Sequence, residues 1–497
     1  MRIHGLSILF ILAAYSFSAF QASVLAESTN TVKSQSTEER LAAIEGKLQQ
    51  LEDRLDQALG TGGQKLDATG GLAKAALVTP IPEQLAALDQ KLRIVERNKE
   101  LDAEAAATKL KETPIVSAGK EGFWIRSADN NFQLRVGGLV QADSRFYTES
   151  DPAIFLGSST FSLRKARPIL EGTVYKFFDF KIMTDFGNGQ ALVQDAYVGF
   201  NYLPRTQFRL GKFKPPVGLE RLQADVDTIF VERALPTDLV PNRDLGVQVF
   251  GEHLGGVFNY ALGVFNGVVD GGNGDLDTNN TKDFAGRVFL NPFQSSSIAS
   301  LKGLGIGLAG TSGSQQGPLP VLRTPAQAIF FNYYPSTLAN GNRYLITPQA
   351  YYYMGPFGLL GEYVQTAQDV KNGNTFGEIS MSSWQVAASY VITGEKASFK
   401  SVTPRKQFNP GVRSFGAVEL AGRYTQLNVD NEAFIQKFAN PNVSASRAST
   451  WTAGVNWYFN RNLRLQLNYE QSAFKGGSPT GDRQTEKVIL SRFQVAF

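Results

Sequence analysis

From residue 121 to the C-terminus, the chain consists of short segments in which apolar and polar residues alternate with a period of two. In the segment FDFKIMTDF, for example, Phe180 and Ile182 alternate with Asp179 and Lys181. Alternation of this kind gives a β-strand two chemically different faces. Gly, Pro, Asn, Asp and Ser separate the segments, and no helical period of useful length returns. The pattern therefore predicts an all-β region.

Sixteen alternating segments can be counted in this region, and an even number is expected of a closed antiparallel barrel. A closed barrel of this size has a lumen wider than side chains can fill, so it contains a water channel unless a loop plugs it. The predicted strands cover approximately residues 131–146, 162–176, 178–187, 191–203, 206–213, 244–251, 256–266, 281–292, 302–311, 342–353, 357–365, 381–391, 415–427, 447–459, 462–472 and 487–497.

A single strand does not show whether its apolar face packs inside a soluble sandwich or faces lipid outside a barrel. Three features of the whole region favour a 16-stranded antiparallel transmembrane β-barrel. The strands are about 8 to 12 residues long, which suits a tilted membrane crossing. Tight connections such as KFFD and FNRN alternate with long ones such as VDGGNGDLDTNNT. Aromatic residues recur at strand ends, as in interfacial girdles: Phe146, Tyr147, Tyr175, Phe177, Tyr202, Tyr344, Tyr390, Tyr458 and Phe459.

The residues before this region have a different character. Residues 1–26 combine Arg2, an apolar run and small residues before Glu27, which is typical of a signal peptide. Residues 27–59 predict a short coiled-coil helix, although an amphipathic helix docked on its own domain would show similar spacing. Residues 60–120 predict a flexible linker followed by a second helical segment. The heptad seam consists of Leu41, Ile44, Leu48, Leu51, Leu55 and Ala58.

Several classes of function find little support in the composition. The chain has no Cys, which excludes disulfides and Cys-ligated metals. Its net charge of +4 is small for its length and gives no support for nucleic-acid binding. The two histidines are His4, in the signal peptide, and His253, in the tight turn GEHLGG, where a solvated turn residue is the simpler interpretation. We therefore predict no enzymatic activity, no metal site and no cofactor.

On the predicted strands, the parity of the alternation separates lipid-facing from lumen-facing residues. Because lumenal basic and acidic residues are nearly balanced, pairs that hold the shape of the wall are one interpretation. Anion attraction is the other, since Arg and Lys select anions in pores. The basic residues predicted to line the channel are Arg135, Lys165, Arg167, Lys181, Arg209, Arg287, Arg423, Arg464 and Arg492, and the acidic residues are Asp143, Glu171, Asp185, Asp195, Glu362, Glu419 and Glu470.

The segments LRKARPILEGTVYKFFDFKIMTDFG, VQDAYVGFNYLP and FRLGKFKPPVGLERL, together with the terminal Phe, resemble the phosphate-selective porin O and P family. The resemblance extends from about Phe123 to Phe497, and GKFKPPVGLE after DAYVGF is specific to this family. It implies a sixteen-stranded barrel in the outer membrane, usually a homotrimer, with the N-terminal segment here in the periplasm. The best-studied members pass phosphate along a ladder of Arg and Lys.

The family also implies that the third long loop, residues 214–243 here, folds inward and narrows the pore. The basic residues of this constriction loop are Lys214, Arg221, Arg233 and Arg243, and its acidic residues are Glu220, Asp225, Asp227, Glu232 and Asp238. Because the loop is net acidic on this count, we expect at most a modest anion preference.

The preferred interpretation is a porin through which small hydrophilic solutes diffuse passively. The alternative is a barrel that mainly tethers the envelope, whose helical N-terminus binds the cell wall or a periplasmic partner. The resemblance also implies a role for Phe497 in assembly, because a terminal Phe on such a strand resembles the signal that the outer-membrane assembly machinery recognises. The predicted partners are outer-membrane lipid, further copies of the chain, the assembly machinery and small anions or other hydrophilic solutes.

Overall fold

The computed structural model describes residues 81–119, 122–150, 158–275, 277 and 279–497, together with the two helical positions Gln49 and Asp53. The predicted signal peptide, the linker and nearly all of the predicted coiled coil lie outside the described residues. The chain divides into two compact units, residues 1–95 and 96–497.

Helix α1 runs from Ile81 to Glu112, over the second helical segment of the sequence. Its residues are mostly strong helix formers, and ion pairs such as Arg93 to Asp89, at 3.0 Å, support its surface. It ends two residues before Pro114, which disfavours a helical conformation in the residue before it. None of the helices in the described part of the chain is long and apolar enough to cross a membrane.

The strands and short helices of the second unit follow in chain order. They are β1 (Ile115–Gly119), β2 (Gly122–Arg126), β3 (Phe132–Glu149), β4 (Thr160–Val174), β5 (Phe178–Asp185), β6 (Leu192–Leu203), β7 (Thr206–Phe213), helix α2 (Leu219–Leu222), a 3-10 turn (Leu235–Leu239), β8 (Asp244–His253), β9 (Phe258–Phe265), β10 (Asp283–Leu290), β11 (Leu304–Gly317), β12 (Leu322–Arg323), β13 (Ile329–Phe331), β14 (Thr337–Met354), β15 (Phe357–Asn372), β16 (Thr375–Val391), β17 (Ala417–Val429), helix α3 (Glu432–Ile435), β18 (Ala445–Tyr458), β19 (Leu463–Ser478), β20 (Gly481–Asp482) and β21 (Glu486–Ala496).

Sixteen of these strands form a closed antiparallel barrel. Each of β3 to β11, β14 to β19 and β21 pairs with its neighbours along the chain, and β21 pairs with β3 to close the sheet. The prediction of sixteen strands is confirmed, and every predicted segment coincides with one of them. Several strands are longer than expected, and β14, for example, has 18 residues.

We call the pairing of β21 with β3 the closing seam. A hairpin that the sequence analysis missed continues the sheet beside it. Strand β2 pairs with β3 just beyond the end of β21, with Phe123 opposite Val136, and β1 pairs with β2. The terminal Phe497 exchanges two backbone hydrogen bonds of 3.0 Å with Gly138 and packs edge-on against Phe123. A Cβ atom at Gly138 would lie 2.6 Å from the Phe497 ring, so this close approach requires glycine.

The two faces of the strands follow the predicted parity on β3 to β10. Ile182 and Leu210, for example, are 49% and 62% exposed on the outside. Two residues assigned to the outer aromatic girdle turn inward instead. The Tyr147 hydroxyl donates to the carbonyl of Ala326 inside the barrel, and Tyr458 is buried beside Glu419.

On β11 and β14 to β19, the inward residues near the long loops are apolar. The expected alternation of apolar outward and polar inward residues therefore fails there. Loop residues fold into the lumen and pack against these apolar residues, which removes both apolar surfaces from water. We call the loop side of this contact the apolar plug: Val217, Leu235, Leu239 and Val240, then Leu322, Phe330, Phe331 and Tyr333, then Ala433, Phe438 and Ala439. The strand side includes Ala309, Leu345, Val364, Val370, Ile379, Met381, Leu427, Val429, Ala445, Ala448 and Phe474.

Candidate functional site

The segment between β7 and β8, residues 214–243, lies inside the barrel, and we call it the inner loop. Leu219, Leu235 and Leu239 on this loop are almost completely buried. Gly218 immediately precedes helix α2 and has a φ of 78°, which favours glycine. The inward course implied by the family resemblance is therefore present in the structure.

A lumenal carboxylate holds the start of the inner loop. The backbone N–H groups of Leu219 and Glu220 donate to the Glu362 carboxylate on β15, at 2.6 and 3.3 Å. The Gln385 amide donates to Glu362 at 2.7 Å and to Glu220 at 2.9 Å. Glu362 thus satisfies backbone donors at the loop's first turn that have no intrahelical partner.

Asp225 is the main ionic contact between the inner loop and the wall. Its carboxylate accepts from Lys165 at 2.7 Å and from Arg167 and Arg233. Asp185 accepts from the Arg167 Nε at 2.6 Å. Burial alone would raise the pKa of Asp225, but Lys165, Arg233 and Arg167 lower it well below its usual value.

Glu232 forms a second ionic contact, near the closing seam. It accepts from Arg164 at 2.6 and 3.1 Å, and Arg145 and Arg492 lie 3.8 and 3.9 Å away. Arg492 on the last strand also donates to Asp143 on the first strand at 2.8 and 2.7 Å. The bidentate contact of Arg164 thus holds the loop to β4, and the bidentate contact of Arg492 joins the two strands of the seam.

Five of the nine predicted channel-lining cations are buried in the structure, and all of them except Arg167 are absent from the lining of the cavity described below. Arg423 pairs with Glu470 at 3.3 Å and with Glu220 at 3.5 Å. Arg464 donates to the Gln494 amide at 3.2 Å, and its guanidinium lies 5.5 Å from the centre of the Tyr458 ring. Together with Lys165 and Arg492, these residues hold the loop and the wall and are absent from the lining of the cavity below.

A cavity of about 960 Å³ lies between the inner loop and the wall formed by β3 to β10. Its charged lining comprises ten basic and five acidic residues, so the cavity is net positive. The basic residues are Arg135, Arg167, Lys181, Arg205, Arg209, Lys214, Arg243, Arg287, Lys400 and Arg461, and the acidic residues are Glu171, Asp195, Asp225, Asp227 and Glu252.

Carboxylates neutralise several of the basic residues that line the cavity. Glu171 accepts from Arg135 and lies 3.3 Å from the Lys181 ammonium. Arg243 on the inner loop lies 3.3 Å from Asp195. Arg135, Lys181 and Arg243 are therefore paired with carboxylates, although basic residues outnumber acidic ones in the lining as a whole.

Arg209 and Arg287 differ from the other predicted lining residues. The Arg209 guanidinium lies 4.2 Å from the centre of the Tyr197 ring and 4.7 Å from that of Phe250. Arg287 lies 4.4 Å from the Phe289 ring centre, and its Nε donates to the Gln349 amide at 3.1 Å. Among the residues that the structure describes, neither guanidinium forms an ion pair with a carboxylate. Aromatic faces orient these cations without cancelling their charge.

The remaining inner-loop cations have separate positions. The Lys214 ammonium donates to the carbonyls of Arg221 and Gln223, each at 2.7 Å, and Arg221 donates to the carbonyl of Thr237. Lys214 and Arg243 line the cavity, whereas Arg221 and Arg233 contact the loop's own backbone or Asp225.

Sequence reasoning missed Arg205, Lys400 and Arg461, which also line the cavity. Arg205 and Arg461 lie in the tight connections LPRTQ and FNRN, so basic residues in short turns were the available signal. Lys400 lies in a longer connection whose course the sequence does not indicate.

Within the described residues, no group of three or more His, Cys, Asp or Glu side chains could hold a metal ion. His253 lies at the end of β8 and stacks on Tyr260, with ring centres 5.6 Å apart.

Comparisons with known proteins agree with this architecture. The model of the phosphate-selective porin O and P family matches residues 132–311 and 336–497. Porin O of Pseudomonas aeruginosa is 24% identical over 395 residues, which cover 71% of this chain and 86% of that protein. Among solved structures, the outer membrane channel DcaP of Acinetobacter baumannii matches with a TM-score of 0.50 at 10% identity, over 77% of this chain and 100% of that chain.

Proposed function

Because the chain belongs to the phosphate-selective porin O and P family, we propose that it is an outer-membrane channel for small hydrophilic solutes that favours anions modestly. The net positive cavity beside the inner loop supports the anion preference. The short-turn end of the barrel faces the periplasm in this proposal, as in other outer-membrane barrels.

The observation that carries the anion preference is the pair of unneutralised guanidinium groups, Arg209 and Arg287. Both line the cavity, and both are oriented by aromatic rings instead of carboxylates. A fixed positive charge in a confined lumen raises the local concentration of anions.

The net acidic count of the inner loop does not oppose this proposal. Glu220, Asp225 and Glu232 contact cations of the barrel wall, so much of the loop's negative charge is neutralised. These pairs also neutralise the wall cations that take part in them. We therefore propose a modest preference and no strong phosphate site.

Replacing Arg209 and Arg287 together by Gln should lower the ratio of anion to cation permeability. A unit charge at 4 Å in water contributes about 1 kcal/mol, and permeating ions pass at larger distances, so the two substitutions together should reduce the ratio about five-fold at low salt. The effect should weaken as salt rises, because mobile ions screen the charges. The measurement is the single-channel reversal potential in a salt gradient.

The matched control is Arg447→Gln with Lys475→Gln, which removes two positive charges from exposed positions of β18 and β19. Its reversal potential should equal that of the unmodified channel. Clear cation selectivity of the unmodified channel would contradict the proposed preference, and an equal shift in both double variants would contradict the assignment to Arg209 and Arg287.

We also propose that the channel is a homotrimer with its N-terminal segment in the periplasm. The support is the heptad seam within residues 41–58 and the exposure of Leu92 and Val95 on α1, at 59% and 62%.

Leu48→Asp with Leu51→Asp should loosen the trimer in native gels, because charges in the seam oppose helix association. Gln49→Asp with Gln50→Asp, off the seam, is the control, and equally stable trimers in both variants would argue against the seam.

We propose finally that the outer-membrane assembly machinery reads Phe497. Phe497 is 42% exposed at the end of the closing seam, where another protein could contact it. Its removal would then affect assembly more than conduction.

A further inference from the structure

The connection between β16 and β17, residues 392–416, lies at the short-turn end of the barrel, and we call it the rim segment. Its first half enters the lumen. The carbonyl of Phe399 accepts from the Gln223 amide at 2.8 Å, and the backbone N–H of Ser401 donates to Asp227 at 2.8 Å. The Phe399 ring packs on Tyr351, with centres 5.4 Å apart. The rim segment thus contacts the inner loop directly.

The second half of the rim segment crosses to the outside of the barrel. Phe408 packs edge-on against Trp457 and Phe459, with ring centres 5.4 and 5.3 Å apart. The Trp457 indole donates to the carbonyl of Phe415 at 2.6 Å. Trp457 belongs to the outward face of β18, because its neighbours Asn456 and Tyr458 are both buried inside. This half therefore covers part of the outer wall.

The outer half ends in an apolar tip. A short turn, in which the Asn409 side chain accepts from the backbone N–H of Gly411, presents Val412 to solvent at 73% exposure. Phe415 is 67% exposed beside it. The tip is continuous with the lipid-facing surface, because Phe459 also contacts the outward Phe493, with ring centres 6.4 Å apart.

The rim segment is also strongly basic. Its only acidic residue, Glu395, accepts from Thr393 and from the backbone N–H of Arg405. Its bases are Lys396, Lys400, Arg405, Lys406 and Arg413. Lys400 lines the cavity, whereas Lys406 and Arg413 flank the apolar tip and, within the described structure, form no ion pair with a carboxylate.

We propose that the outer half of the rim segment binds anionic phospholipid in the leaflet at the short-turn end of the barrel. Val412 and Phe415 would enter the boundary of the acyl chains, while Lys406 and Arg413 would contact the phosphate groups. Apolar side chains combined with bases are the chemistry of interfacial membrane contacts, and anionic headgroups complement the charge. The inference rests on the proposed function only for the placement of the barrel in the membrane.

Trp457 provides a reporter at the site. In a full-length variant with Trp124, Trp384 and Trp451 replaced by Phe, bromine-labelled lipid will quench Trp457 in proportion to its local concentration. The protein is reconstituted in phosphatidylcholine vesicles that contain brominated phosphatidylglycerol or, in parallel, brominated phosphatidylcholine. We expect stronger quenching by the phosphatidylglycerol.

Lys406→Glu with Arg413→Glu should abolish this selectivity. Each base contributes about five-fold to the association of an anionic lipid. The loss of two bases alone should therefore weaken the relative association of phosphatidylglycerol about thirty-fold, and the two added carboxylates should weaken it further. Val412→Ser with Phe415→Ser should reduce quenching by both lipids, since the apolar tip no longer enters the membrane. Arg447→Glu with Lys475→Glu, at the other end of the barrel, should leave the selectivity unchanged.

Equal quenching of the unmodified site by both lipids would overturn the proposal, as would selectivity that survives Lys406→Glu with Arg413→Glu. A change in Trp457 fluorescence on addition of soluble cell-wall fragments, without lipid selectivity, would likewise overturn it in favour of a cell-wall contact. Conductance and reversal potential are recorded with the same proteins. Normal anion-preferring conduction without lipid selectivity would refute the lipid site alone and leave the channel function standing.

Discussion

Asp225→Asn should destabilise the barrel by about 3–5 kcal/mol, because it leaves three buried cations without their shared carboxylate. Lys165, Arg167 and Arg233 all converge on this residue, and the first two belong to β4. The inner loop should detach in part, and single-channel current should become noisier. Stability is measured by denaturant unfolding, and loop motion by current fluctuations.

The depressed pKa of Asp225 determines how this difference depends on pH. A carboxyl whose folded pKa lies below its unfolded value of 3.8 stabilises the protein fully above that value. Its contribution is lost as pH falls toward the folded pKa. The difference in the free energy of unfolding between Asp225→Asn and the unmodified protein should therefore have its full value at neutral pH. It should become smaller only in acid, below about pH 4.

Glu149→Gln is the matched control, because Glu149 pairs with Lys487 at an exposed position. Exposed ion pairs contribute about 0–1 kcal/mol, so this variant should unfold almost as the unmodified protein does. If Asp225→Asn cost no more than Glu149→Gln, the inner loop would not depend on its ionic contacts with β4.

Phe331→Asp with Phe438→Asp should release the apolar plug and raise single-channel conductance several-fold. Both rings are completely buried where two long loops meet inside the lumen. Loss of a buried aromatic side chain costs about 3–5 kcal/mol, and an unpaired carboxylate in that position adds a further penalty. A sixteen-stranded barrel without an internal plug leaves a wide aqueous channel.

Phe376→Asp is the control for this experiment, because Phe376 lies at the same end of the barrel but is 65% exposed. Its conductance should not change. The heat-modified gel mobility of the plug variant shows whether its barrel is folded. If a folded plug variant has the same conductance as the unmodified channel, the plug does not limit the current.

The locally encoded features of the fold could be predicted from sequence. In FDFKIMTDF, the alternation places Ile182 and Lys181 on opposite faces of the strand, and the structure has Ile182 49% exposed on the outside and Lys181 in the lining of the cavity. The same parity placed Arg209 and Arg287 toward the lumen, where they line the cavity.

The partners of these residues could not be predicted in the same way. Arg492 finds Asp143 at the opposite end of the barrel sequence, and only closure of the sheet brings them together. The position of Tyr458 at a strand end also assigned it to the aromatic girdle, although it lies inside beside Glu419. The inward apolar residues of β14 to β19 were not anticipated, because their partners lie on distant loops.

The sequence by itself determined the strand number, the two faces of most strands and the family, because a period of two and a specific motif are properties of contiguous residues. The tertiary structure alone decided which inward cations remain charged toward the cavity and which are neutralised by the inner loop. It also decided where the lumen is filled by apolar side chains and where it is open. These outcomes depend on contacts between residues far apart in the chain, and the energy of a charge or an apolar ring depends on what surrounds it.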